Sequence, residues 1–117
     1  MGNRGAMALA AGMLSVAIMG AAPPQAAASG PQARDREFGE YLSRECVTCH
    51  QITGRVVGHV PMIIAWPEEQ FIAVMNSYRS KHRENQVMQA IAGKLSDTEI
   101  EALAAYFGAL PPQPKIN

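Results

Sequence analysis

The sequence has no excess charge of either sign, few cysteines and no strongly hydrophobic run. Ten Lys and Arg face ten Asp and Glu, so neither a basic nucleic-acid face nor a long acidic tract is present. Two cysteines rule out a disulfide framework. They sit three positions apart, at Cys46 and Cys49, where a bridge would close a tiny loop and constrain little. No internal repeat is present. The 117 residues suffice for one domain.

The one apolar stretch is N-terminal. Arg4 is the only charge before Arg34, and a run of small and apolar residues extends from Ala6 to Ala22. Gly12, Ser15, Gly20 and many alanines make it weak for a permanent membrane span. Pro23, Pro24 and Ala26-Ala27-Ala28 follow. A positive start, an apolar middle and an Ala-x-Ala end predict a secretory signal peptide over 1–28, cleaved near Ala28, and export to the periplasm. An uncleaved anchor is the alternative. The chain from Ser29 to Asn117 is short for a self-sufficient core, and a covalent cofactor would reinforce it better than one small disulfide.

The remainder predicts a flexible lead-in over 29–34, a domain over 35–112 and a C-terminal tail over 113–117. Phe38, Tyr41, Leu42 and Cys46 fall on one face of a first helix over about 35–46, with Asp35 and Glu37 in its first turn. Gly54, Gly58 and Pro61 predict irregular chain over 51–66; a strand over Val56–Ile64 is the weaker alternative. Pro67 opens a second helix bearing Phe71, Val74, Met75 and Tyr78 on one face and ending near Ser80. Asn85 caps a short helical turn ending near Gly93. Ser96-Asp97-Thr98-Glu99 is a capping box, with Leu95 and Ile100 placed for a staple. Ile100, Leu103, Ala104 and Phe107 form the buried stripe of the last helix, with Gly108 and Pro111-Pro112 as its stop. Three main helices with long irregular connectors make a small all-α domain.

Cys46-Val47-Thr48-Cys49-His50 is a C-x-x-C-H segment, the pattern of covalent haem attachment. Two thiols at this spacing can add to the two vinyl groups of one porphyrin, and the adjoining histidine then lies beneath the iron. Other readings compete. A thioredoxin-like pair needs a βαβ context, which is missing. A zinc site needs further ligands, for which only His59 and His82 offer themselves. A plain disulfide clip would suit an oxidising compartment.

From about Gly39 to Leu110 the chain resembles the class I cytochromes c. Gly39-Glu40-Tyr41-Leu42 before the C-x-x-C-H segment is similar to that family's first helix and attachment site. Gly58 and Pro61 stand at its haem-flanking loop. Met88-Gln89-Ala90-Ile91-Ala92 with Leu95-Ser96-Asp97 resembles its methionine-ligand segment and the start of its terminal helix, which Ala104-Ala105-Tyr106-Phe107 completes. The likeness extends to the cytochrome subunits of flavocytochrome c sulfide dehydrogenase and related single-haem cytochromes. Gln51 departs from the glycine that many members carry.

The resemblance implies one haem c on Cys46 and Cys49, with His50 as the first iron ligand. Met62, Met75 and Met88 are candidates for the sixth. Met75 belongs to the apolar face of the second helix, and Met62 follows too soon after His50. Met88 lies far enough along the chain and matches the family's ligand position; His59 and His82 are alternatives. The resemblance also implies that the Pro61 carbonyl receives the other ring N–H of His50. Tyr78, Arg79 and Arg83 are candidates to meet the haem propionates, since a guanidinium matches a carboxylate with parallel donors. Trp66 is expected on the porphyrin rim or in the core.

The functional expectation is a periplasmic one-electron carrier rather than an enzyme. Its partner could be a flavoprotein that oxidises sulfide, docking on a face bearing Arg79, Lys81 and Arg83. A haem enzyme or gas sensor with a labile sixth ligand is the alternative from a second class, and a zinc or disulfide module is the third.

Overall fold

The structure, a computed structural model, describes residues 1–2, 31–114 and 116. The predicted signal segment, save Met1 and Gly2, lies outside the described residues. Four α-helices follow in order: α1 (Pro31–Leu42), α2 (Glu68–Arg79), α3 (Gln86–Ala92) and α4 (Asp97–Ala109). One 3₁₀ turn, Cys46–Thr48, lies between α1 and α2. Among the described residues there is no strand, only an isolated parallel bridge between Arg55 and Ile116. The fold is all-α, and the strand alternative over 56–64 is not realised. No described helix is long and apolar enough to cross a membrane.

The first helix is shifted from its predicted span. It is described from Pro31 on. Residues 31–34, expected as lead-in, are therefore helical. It stops at Leu42 instead of reaching Cys46. Ser43 accounts for the stop. Its N–H still bonds the Gly39 carbonyl at 2.8 Å, but its hydroxyl turns back to the Glu40 carbonyl at 2.7 Å. The Ser43 carbonyl then accepts from both Cys46 and Val47 N–H, at 2.8 and 3.0 Å. The chain tightens there into the 3₁₀ turn.

The buried side of α1 also differs from its apolar pattern. Phe38 is 41% exposed and Tyr41 63%. Leu42 and Cys46, of the same predicted face, pack half-buried against the core; the fully buried positions are Gly39 in α1, which lies against α4, and Ser43 just past its end. A Cβ on Gly39 would collide with the Ala102 carbonyl and come 2.8 Å from Tyr106 Cβ. The two helices thus meet backbone to backbone, at a residue that hydrophobic periodicity does not mark.

α4 is the centre of the core. Ile100, Leu103, Ala104 and Phe107 are each at most 1% exposed, as its stripe predicts. Phe107 stacks on Phe71 of α2 with centroids 5.8 Å apart and meets the ring of Tyr106 edge-on at 5.1 Å. Met75 is buried in the same cluster, so its role is packing. Gly108 does not stop the helix. It lies inside α4, where a Cβ would come 3.0 Å from the Trp66 carbonyl, and the chain turns extended at Leu110 ahead of Pro111.

The helix starts follow local chemistry. Pro67 caps α2 rather than beginning it, and Glu68 and Glu69 occupy the first turn. Asn85 Oδ1 accepts the Met88 N–H at 3.0 Å, opening α3. At α4, Ser96 N–H donates to Glu99 Oε2 at 2.8 Å, and Glu99 N–H returns to Ser96 Oγ at 3.3 Å. The Ser96 amide and hydroxyl hold the Glu99 carboxyl below the ordinary glutamate value.

Two outcomes are expected. Gly39→Ala lowers stability by about 3 kcal/mol, because backbone on both sides must shift; denaturant midpoints of the two proteins measure it. Ser96→Ala costs about 1 kcal/mol of helix capping. In the same variant the Glu99 carboxyl titrates higher, back toward the ordinary value, which NMR titration reads. Because its folded value is depressed, the stabilisation from Glu99 is present above the ordinary glutamate range and is lost as pH falls through the folded value.

Candidate functional site

The turn after Ser43 carries three reactive side chains. Cys46 N–H bonds Ser43, while Cys49 and His50 N–H both return to the Cys46 carbonyl, at 3.2 and 2.8 Å. One carbonyl thus gathers the second cysteine and the histidine over the first. Neither cysteine is in a disulfide; Cys46 is half-buried and Cys49 exposed. Burial, helped by the Glu45 carboxylate, pushes the Cys46 thiol above its ordinary value. A dithiol that works by thiolate attack has the opposite shift. The described residues also hold no strand, so the βαβ setting of a thioredoxin-like pair is missing there. Among the described residues no group of three or more His, Cys, Asp or Glu could hold a metal ion, so the zinc clip has no third ligand there.

His50 is fixed from one side. Its Nδ1 lies 2.7 Å from the Pro61 carbonyl oxygen. A carbonyl can only accept, so the proton sits on Nδ1 and the Nε2 lone pair is free to donate. That is the arrangement a ligating imidazole requires. Beside Pro61 lies a mainly apolar cavity of about 430 Å³, which Val56, Gly58, His59, Val60, Met62, Ile64 and Trp66 also line. Trp66 is half-buried against the core as well. Two thiols and an oriented imidazole on one turn are a donor set that fits a covalent haem; the cavity lies on the loop of Pro61, and its lining includes neither cysteine nor His50.

The other predicted site residues divide into separate groups. Tyr78 and Arg83 are together: Arg83 Nε donates to Tyr78 Oη at 2.9 Å, and its guanidinium lies 5.4 Å from the ring centroid. Arg79 is engaged elsewhere. It donates to the Leu95 carbonyl at 3.2 Å and to Asn76 Oδ1 at 2.8 Å, and it pairs with Asp97. These bonds tie the end of α2 to the start of α4. Nothing in the spacing of Arg79 signalled this tie; only its place at one helix end and that of Asp97 at another hinted at it. Met88 and Met62 are both half-buried against the core cluster. Met88 is positioned through its own amide by Asn85, whereas Met62 lines the cavity. His59 and His82 are exposed, and His82 Nδ1 is 2.7 Å from Ser80 Oγ. Sequence reasoning did not single out Ile64 as a cavity residue, because no helical period runs through the loop that holds it.

No family model matches the chain. It is 29% identical over 109 residues to a protein of Thiomonas intermedia (strain K12) named thiosulfate dehydrogenase electron acceptor. The match covers 88% of this chain but 46% of that relative, so the chain spans about half the relative's length. Together with the C-x-x-C-H turn, this likeness supports a c-type-cytochrome-like protein and no narrower class.

Proposed function

We propose that this chain is a single-haem electron carrier that accepts electrons from a dehydrogenase acting on a reduced inorganic sulfur compound. The observation that carries the reading is the His50 imidazole, oriented by the Pro61 carbonyl at 2.7 Å and borne on the same turn as both thiols. Cys46 and Cys49 would hold the group by thioether bonds, and His50 Nε2 would ligate its iron. When bound, the haem supplies a one-electron couple.

The chain's own residues set the conditions for that couple. The Pro61 carbonyl keeps the Nδ1 proton in place and makes the imidazole a stronger donor. Met88 would supply a thioether as the sixth ligand, which raises the potential relative to a second nitrogen donor. The hydrogen bond from its N–H to Asn85 Oδ1 fixes the backbone from which that sulfur extends. Arg83, held against Tyr78, keeps donors free for a propionate. The ties of Arg79 to Leu95, Asn76 and Asp97 make it the less available partner.

Two donors come from the likenesses. The Thiomonas relative is named for thiosulfate dehydrogenase, and the resemblance to flavocytochrome c points to a sulfide-oxidising flavoprotein. Maturation in the periplasm, after cleavage near Ala28, completes the proposal.

The haem assignment is tested by producing the chain in a host competent for c-type maturation. Denaturing mass spectrometry should show one haem mass retained in the protein. Cys49→Ala should reduce attachment to a single thioether, shifting the haemochrome band. Colourless protein, with both thiols free or joined to each other, rejects the proposal.

Met88→Ala should abolish the far-red absorption band of a methionine–iron(III) bond and open the reduced protein to carbon monoxide. Survival of that band assigns the ligand elsewhere, with Met62 the next candidate. Rapid carbon monoxide binding by the unmutated reduced protein would favour the haem enzyme or gas sensor. Stopped-flow reduction by purified thiosulfate dehydrogenase and by a sulfide-oxidising flavoprotein separates the two donors.

A further inference from the structure

The chain between His50 and Pro61 is difficult to hold in one conformation. It contains two glycines in the left-handed region, Gly54 with φ 84° and Gly58 with φ 59°. Glycine loses more freedom on ordering than any other residue. Within this stretch, one backbone hydrogen bond is local, from Val60 N–H to the Val57 carbonyl at 3.2 Å. The only other backbone bonds found for residues 51–60, among the described residues, go to Ile116. Ile116 N–H donates to the Gly54 carbonyl at 2.9 Å, and Val56 N–H donates to the Ile116 carbonyl at 3.4 Å. A Cβ at Gly54 would strike the Pro114 carbonyl. The tail therefore approaches the loop as closely as backbone allows, at a glycine that both the turn and the contact require.

We propose that the tail around Pro114 and Ile116 is a backbone clasp that holds the Gly54–Val56 loop and, through it, keeps the Pro61 carbonyl on His50 Nδ1. Pro114 and Ile116 are positioning residues. Their contacts found among the described residues are to Gly54 and Val56, and they act by restricting the loop that ends at Pro61. Recognition is by main chain: Ile116 is 54% exposed, so its side chain contributes little. The effect on the iron rests on the haem reading above, whereas the effect on the His50–Pro61 bond does not.

The test compares the full-length holoprotein with Ile116→Pro, which removes one donor, and with a chain lacking residues 113–117. Ile116→Ala keeps both backbone bonds and serves as the control. In the first two variants the Val56 amide and the His50 Nδ1–H should exchange with solvent about tenfold faster or more. The midpoint potential should rise, because an imidazole that loses its acceptor donates less strongly to the oxidised iron. Ile116→Ala should match the parent in all three readouts. The clasp is overturned if His50 Nδ1–H exchange and the potential stay at parent values, even where Val56 exchange or global stability changes. It is also overturned if Ile116→Ala reproduces the effect, since side-chain packing would then be responsible. A full chain that matures without covalent haem overturns only the haem reading. The nitrogen shifts of its His50 ring, with and without the tail, then judge the clasp by the same criterion.

Discussion

The backbone contact between α1 and α4 at Gly39 is the constraint on which the rest of the molecule depends. The helices cross where one residue has no side chain and the facing surface is the Ala102 carbonyl. This contact fixes the direction in which α1 leaves the core. Ser43 then ends the helix, and the next turn delivers Cys46, Cys49 and His50 to the side of the core where Pro61 waits. A wider crossing would move that turn away from the loop that orients the histidine. In a domain this small, one glycine thus contributes to both stability and the placement of the chemistry.

The parts of the fold legible in the sequence are those governed by local rules. The capping box at Ser96, the asparagine cap at Asn85 and the stripe on α4 follow from short-range hydrogen bonds and a 3.6-residue period. α1 is legible only in part: Leu42 and Cys46 pack against the core as their spacing predicts, but its buried contact with α4 is at Gly39, and Phe38 and Tyr41 remain substantially exposed. Periodicity detects side-chain burial and is blind to a backbone-to-backbone contact. Gly108 misled for a related reason: it fits a close approach to Trp66 rather than a helix end.

The candidate site was legible where a motif carries the chemistry and obscure where tertiary contacts decide. The C-x-x-C-H segment is contiguous, and the proline whose carbonyl meets His50 lies on the connector that follows it. The arginines illustrate the opposite case. Arg79 and Arg83 stand close together in sequence and are equivalent by composition, yet one serves the α2–α4 junction and the other a tyrosine. The tail gave no sequence signal at all, since main-chain hydrogen bonds leave no trace in residue type except for Gly54.

The brevity of α3 has a consequence of its own. A seven-residue helix cannot persist alone in water. It lasts as long as the Asn85 cap and its packing against α2. On the proposed reading, a group held by Met88 would be anchored at one end to the shortest of the described α-helices and at the other to the turn that follows α1. On warming, the weak side is the natural place for the first local opening, so the grip on a bound group would loosen asymmetrically before the core itself gives way.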